Sequence, residues 1–339
     1  MKKTGIYLII VLFVIDSQVL LAQTSKVGTT AAQFLKIAVG PRATAMGEAH
    51  AGMANDISAI YWNPAGLALL RQREAIFQHS FWLASLKFDF ASIVFPLKGN
   101  NTVGAFVTLL GTPEDEVRTV MHPEGTGEMF NAVDMALGLS YSRMMTDQFA
   151  IGMNVKYIRQ KIWTMCASGW AVDFGSIYTT DFRDFRIGLA VSNFGTPIQL
   201  HGPAANVFVD IAPEIPGHDE KARAELISEK WELPIGFRMG FAIDPVRSKN
   251  MRLTLASDWT HPNDNNEYIN FGFEYAIREI VLIRSGFRGL GMQDMEGGLT
   301  AGMGFRIKFS ESLKAKLDYA FADYGKLEAT HRYAISLVF

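Results

Sequence analysis

From about residue 73 onward the chain alternates between apolar positions and small or polar ones with a period of two. Between Trp231 and Ile243, the residues Trp231, Leu233, Ile235, Phe237, Met239, Phe241 and Ile243 fall on one face of an extended chain. Glu232, Pro234, Gly236, Arg238, Gly240 and Ala242 fall on the other, which is the period of a strand with two different surroundings. The alternation returns over 299–309 and 313–321. A soluble sandwich alternates as well, so length has to separate the two cases. These runs last about 10 to 13 residues, longer than the ~5–6 of strands in soluble sheets and long enough to cross a bilayer when tilted.

Segments of this kind are predicted over 73–81, 86–97, 102–110, 131–143, 149–163, 168–179, 184–194, 231–243, 250–260, 267–276, 279–288, 297–309, 312–322 and 330–339. Their even number suits a closed barrel whose two ends meet. Counting back from the C-terminus puts the short connections at Ser310-Glu311, Arg278, 244–249, 180–183, 144–148 and 98–101 on one side, which is then periplasmic. The long segments 111–130 and 195–230 both fall on the other, outer side. The predicted fold class is therefore all-β, a transmembrane antiparallel β-barrel of about 14 strands spanning 73–339.

The inward positions carry a second message. Ala136, Gly138, Gly152, Gly175, Gly188, Ala190, Gly236, Gly240, Gly272, Gly302 and Gly304 point into the lumen, which is lined more by missing side chains than by charges. Glycine there either relieves crowding where the wall bends or leaves room for something packed inside. Residues 23–72 lack the alternation and are rich in Ala, Gly, Thr and Met. Asn63 is suited to cap a helix, Pro64 to its first turn, and Ala65–Leu70 to a short helix. This segment is expected to form an N-terminal hatch, a plug filling the periplasmic end of the barrel.

Composition removes several function classes. The net charge is −2 and only 19% of residues are charged, so nothing points to nucleic acid. Cys166 is the only cysteine, which excludes an internal disulfide and a cysteine metal cluster. Lys2-Lys3, the apolar run Ile6–Ile15 and the small Ala22 predict a signal peptide over 1–22, too short to anchor in a membrane. The seven histidines are not at helical ligand spacing and no G-x-S-x-G is present, so no enzyme and no cofactor is expected. A Ser–His pair on barrel strands, as outer-membrane phospholipases use, stays compatible with the sequence. Asp264 and Glu267 are either a cation site or a polar hairpin tip.

The run AAQFLKIAVGPRATAMGEAHAGMANDISAIYWNPAGLA over 31–68 closely resembles the N-terminal signature of the PorV/PorQ family, within the FadL-like outer-membrane transport barrels. The matching hatch motif includes Gly40, Arg42, Gly47, Asn63 and Pro64. The resemblance implies residence in the outer membrane of a Gram-negative-type bacterium and one of two roles. In the first, hydrophobic small molecules pass by way of a pocket between hatch and wall, for which Phe34, Leu35, Met46, Met53, Tyr61 and Trp62 would supply the apolar lining. In the second, the barrel is a docking component of type IX secretion with exported proteins as partners. The final strand, with Tyr333, Ile335, Leu337 and Phe339 on one face, resembles the signal read by the barrel-assembly machinery.

Overall fold

A computed structural model describes residues 27–211, 214, 221–292, 295–310 and 312–339; the predicted signal peptide lies outside the described residues. The alternation closes into one sheet. In chain order the strands are β1 (Glu74–Phe81), β2 (Lys87–Leu97), β3 (Asn101–Gly111), β4 (Asp115–Glu116), β5 (Met129–Phe130), β6 (Ala132–Met144), β7 (Phe149–Ile162), β8 (Met165–Thr179), β9 (Arg186–Gly195) and β10 (Ile198–Gln199). They continue as β11 (Asn206–Asp210), β12 (Lys221–Glu225), β13 (Lys230–Trp231), β14 (Gly236–Arg247), β15 (Met251–Pro262), β16 (Tyr268–Ile277), β17 (Val281–Leu290), β18 (Leu299–Lys308), β19 (Lys314–Asp323) and β20 (Ala329–Val338).

Fourteen of these form a closed antiparallel barrel, in the order β1-β2-β3-β6-β7-β8-β9-β14-β15-β16-β17-β18-β19-β20. Closure is made by β20 against β1, from Glu74 opposite Val338 to Phe81 opposite His331, and it leaves the wall without an unpaired edge. The connections 98–100, 145–148, 180–185, 248–250, 278–280 and 309–313 lie at one end. The long connections 112–131 and 196–235 lie at the other, where β4 pairs with β5, β10 with β13 and β11 with β12.

Side chains sort by face as a bilayer requires. Phe271, Phe273, Met303, Phe305, Tyr333, Ile335, Leu337 and the terminal Phe339 are all exposed on the outside of the sheet. Their neighbours along the strands, such as Gly272, Glu274, Arg332, Ala334 and Ser336, turn inward and are buried. Trp259, an aromatic side chain with a polar handle, sits toward the outer end of β15, where interfaces favour it, and its Nε1 donates to Glu267; Tyr319, midway along β19, meets His331 at 2.8 Å.

One predicted strand is shorter than its pattern. Trp231 and Leu233 do not belong to the wall, because β14 starts only at Gly236. Pro234 cannot donate to a ladder, and its carbonyl instead accepts from Asn193 Nδ2 at 2.8 Å. Upstream of it Trp231 pairs with Ile198 in the outer connection, and Leu233 turns into the core.

Residues 30–72 run inside the wall as short helical turns and irregular chain, with helical turns at Gln33–Lys36, Pro41–Ala45, Ala59–Trp62 and Pro64–Leu69. The chain enters at the outer end, where Thr30 bridges to Glu232. It leaves at the opposite end, where Gln72 accepts from Lys314 Nζ. It therefore spans the length of the barrel and is not confined to the periplasmic end.

Candidate functional site

The helical turn Pro64–Leu69 forms because Asn63 is extended and its side chain accepts from the Ala65 N–H, while Pro64 has no N–H to lose in the first turn. The same Asn63 side chain donates to the carbonyls of Ala51 and Ser176, fixing the turn to another part of the segment and to the wall. Tyr61 and Trp62 lie in a helical turn, not in a strand. Their hydroxyl and indole N–H donate to the carbonyls of Leu35 (2.9 Å) and Val39 (2.7 Å). Arg238 reaches inward from β14 over both rings, 5.7 Å and 5.0 Å from their centroids.

The small residues of the wall coincide with the closest approaches of this inner segment. A Cβ built on Gly240 would stand 2.4 Å from the Gly52 nitrogen, and one on Gly152 would stand 2.4 Å from the Pro64 carbonyl carbon. Gly175, Gly188, Gly272 and Gly286 face Asn63, Ala51, Met46 and Gly47 in the same way. Two glycines of the motif face tighter demands. Gly40 at φ +84° offers its N–H to Gln78 at 2.6 Å. Gly47 at φ +64° has no room for a Cβ between the backbones of Phe271 and Phe287.

The lumen also holds buried ionic groups, which the count of missing side chains understated. Arg42 makes a bidentate pair with Glu274 of β16 and a 2.9 Å contact to Asp56. Glu274 receives two more guanidinium groups, from Arg252 and Arg284. Asp258 of β15 accepts the N–H groups of His50 and Ala51, Asn154 of β7 donates to the Ile60 carbonyl, and Thr300 of β18 bonds both Gly47 N–H and Ala45 carbonyl. At the outer end Asp264 accepts from Thr30, Gln33 and Lys36. Burial raises its pKa, but these three donors outweigh it and hold the carboxyl below its ordinary value. Glu267 is engaged separately, with Trp259 and His261, so the two carboxylates do not share one site. In the sequence each anchor shows only as a single inward Asp or Glu, which marks a position without naming its partner.

The six apolar candidates are divided among three clusters. Phe34 and Leu35 pack with Ile60, Leu67, Phe88, Phe90 and Ile158. Met46 and Met53 pack with Ala49, Ala242 and Ala256. Trp62 packs with Ala38 and Ala43, and Tyr61 touches the first and third clusters. Phe34, Leu35, Met46, Met53 and Trp62 are all buried.

Ser58, His50 and Asp56 also meet, but not as a relay. Ser58 Oγ and Asp56 Oδ1 both approach the same nitrogen, His50 Nε2, at 3.3 and 3.6 Å. A hydrolytic triad places the nucleophile and the orienting acid on opposite ring nitrogens; here His50 Nδ1 has no partner among the described residues.

Two hollows flank the packed interior. One, of about 420 Å³, lies at the outer mouth between Ala31, Ile162, Ile198, Leu200 and Trp231. The larger, of about 650 Å³, opens at the periplasmic mouth among Arg and Lys side chains.

The closed fourteen-stranded antiparallel wall has the fold of a FadL-like barrel. A Pseudomonas aeruginosa FadL homologue is similar at TM-score 0.54 and 11% identity, covering 89% of this chain and 98% of that one. The Ralstonia pickettii toluene transporter TbuX is similar at TM-score 0.53 and 13% identity, covering 88% and 97%. The Pseudomonas putida toluene transporter TodX is similar at TM-score 0.54 and 12% identity, covering 88% and 96%. At such identities the likeness concerns the fold. No curated protein sequence matches the chain. The family model described as type IX secretion system protein PorV matches residues 21–209. The chain belongs to the PorV family, and it is a β-barrel of the outer membrane.

Proposed function

We propose that this barrel serves protein secretion as a docking platform, with residues 23–72 as a fixed hatch and exported proteins bound at its outer loops. The observation that carries the reading is the apolar surface of those loops. Phe208, Leu226 and Ile227 in the connection 196–235, and Val120 and Met121 in the connection 112–131, are among the most exposed apolar side chains of the protein. They lie in the connections beyond the ends of the wall strands, and apolar surface exposed there is available for contact with another protein. Membership of a secretion family supports the same reading. The filled interior supports it too, since Phe34, Leu35, Met46, Met53 and Trp62 are spent on packing between segment and wall.

A second reading rests on the apolar hollow at the outer mouth, which has the size and lining of a small-molecule site and would suit passage of a hydrophobic solute. Deleting 206–225 separates the two. Docking predicts loss of exported proteins from co-purification with unchanged binding of a long-chain amphiphile. Solute passage predicts retained partners and loss of amphiphile binding on truncating Ile198, Leu200 and Trp231, which line the hollow. Retained partners after the deletion would overturn the docking role of this loop. In either role no catalytic step, cofactor or nucleic acid is involved, and the face Tyr333, Ile335, Leu337 and Phe339 is the segment offered to the barrel-assembly machinery.

A further inference from the structure

The periplasmic cavity has a composition that neither role explains. Its walls carry nine cationic side chains, Arg42, Arg71, Arg186, Arg247, Lys249, Arg252, Arg306, Lys314 and Lys316, against the four carboxylates of Asp56, Glu74, Asp244 and Glu279. Glu274 and Asp184 lie outside the lining and neutralise part of the excess, Glu274 being shared by Arg42, Arg252 and Arg284 and the exposed Asp184 pairing with Arg247 at the rim. Charges gathered in a recess with protein walls focus a positive potential toward the opening. The opening faces the periplasm, because the lining includes Ser248 and Lys249 of one short turn and Glu279 of another.

Arg186 adds an independent observation. It is 7% exposed, its terminal nitrogen is held by Asp244 at 3.0 Å, and its Nε has no partner among the described residues. A buried guanidinium N–H left without an acceptor costs free energy, and the Arg186 side chain borders the cavity. The cavity is not lined by charge alone, since Leu69, Leu70 and Val338 also border it. A bare inorganic anion has no use for those apolar side chains, whereas a peptide presents carboxylates and apolar groups together.

We propose that this cavity receives an acidic peptide segment of a periplasmic partner protein, its carboxylates held by Arg186 and the rim cations Arg247 and Lys249, and its apolar side chains set against Leu69 and Leu70. The site lies at the end of the barrel opposite the loops assigned to exported proteins and stands independently of that assignment. Leu69–Gln72 joins the inner segment to β1, so an occupant touches the point where the hatch leaves the barrel.

The test uses the full-length barrel in lipid nanodiscs and a fluorescent peptide of alternating Glu and Leu, with a Lys/Leu peptide and inorganic phosphate as comparators. Saturable binding of the acidic peptide is expected, weakening as salt is raised and not reproduced by the basic peptide. Arg247→Glu with Lys249→Glu lies on the exposed rim and, with its folding verified by the heat-dependent gel shift of the barrel, is expected to weaken binding by about tenfold or more. Arg186→Gln is expected to weaken it with the salt dependence retained. Lys221→Glu with Arg223→Glu, on the outer ribbon, is expected to leave it unchanged. Absence of saturable binding, equal binding by the rim variant, or full displacement by millimolar phosphate, which would indicate a small-anion site, each overturns the proposal.

Discussion

Arg42 and Glu274, 232 residues apart in the chain, meet in a bidentate pair inside the barrel, with nitrogen–oxygen distances of 2.8 and 2.9 Å. This contact links the inner segment to β16. It also ties an irregular stretch to a carboxylate that the wall itself positions, since Arg252 and Arg284 hold Glu274 from neighbouring strands. The wall thus carries half of each anchor in advance, and the segment supplies the other half when it seats.

Replacing Arg42 by Met should therefore loosen the segment without opening the wall. Glu274 keeps two arginines, but Asp56 loses its guanidinium partner and Asn55 its donor. Breaking one side of a buried ion pair costs on the order of 3–5 kcal/mol. Limited proteolysis of the folded barrel is expected to cut within 30–72 in the variant and not in the parent, while the heat-dependent gel shift of the barrel persists. Equal resistance in both proteins would show that Arg42 does not hold the segment.

The small wall residues predict a steric effect of the same kind. Gly240→Ala places a methyl group 2.4 Å from the Gly52 nitrogen, and retreat is opposed on both sides, since Gly240 is held in the ladder of the wall and Ala51, next to Gly52, is bonded at both its N–H and its carbonyl. Overpacking costs about 1–3 kcal/mol. Gly111→Ala meets nothing within 4 Å and serves as the control. Thermal unfolding in detergent should fall for the first and stay level for the second.

The lipid face can be tested at Met303. It points outward from β18 and stands opposite Ile283 and Tyr319 on the flanking strands. Met303→Arg near the bilayer midplane should cost about 2–4 kcal/mol in folding into vesicles. An arginine tolerated there without loss of folding yield would mean that this face meets protein or water in place of lipid.

Much of this architecture is legible in the sequence, for a physical reason. Lipid outside and a close-packed segment inside impose opposite demands on alternate residues, and the period of two records both. The strand around Trp231 misleads because Leu233 and Ile235 keep the alternation while Pro234 breaks the ladder. The polar anchors are harder to see. Asp258 or Glu274 read singly is indistinguishable from a residue in a water-filled lumen, and its partner lies far along the chain. The apolar residues of the inner segment are harder still, because irregular chain has no period from which the direction of Phe34 or Met46 could be read, and three separate clusters divide them.

Asp264 predicts a pH dependence confined to the outer end. The folded protein holds its carboxyl below the ordinary value through Gln33, Thr30 and Lys36, so the ionised form is favoured on folding. A depressed folded-state pKa contributes stability that is fully present above the unfolded-state pKa. That contribution is lost as pH falls toward and through the lower folded value. Protonation removes the attraction for the Lys36 ammonium, 3.0 Å away. Residues 30–37 should then detach while the deeper anchor at Thr300, whose hydroxyl does not titrate in this range and bonds the Gly47 N–H and the Ala45 carbonyl, keeps its hold. Hydrogen exchange, corrected for the intrinsic pH dependence of the rate, is expected to show 30–37 losing protection on acidification before 44–47, the turn held by Thr300, does. Asp264→Asn should show the loss already at neutral pH and no further change on acidification. A variant that retains the parent's pH profile would place the titrating group elsewhere.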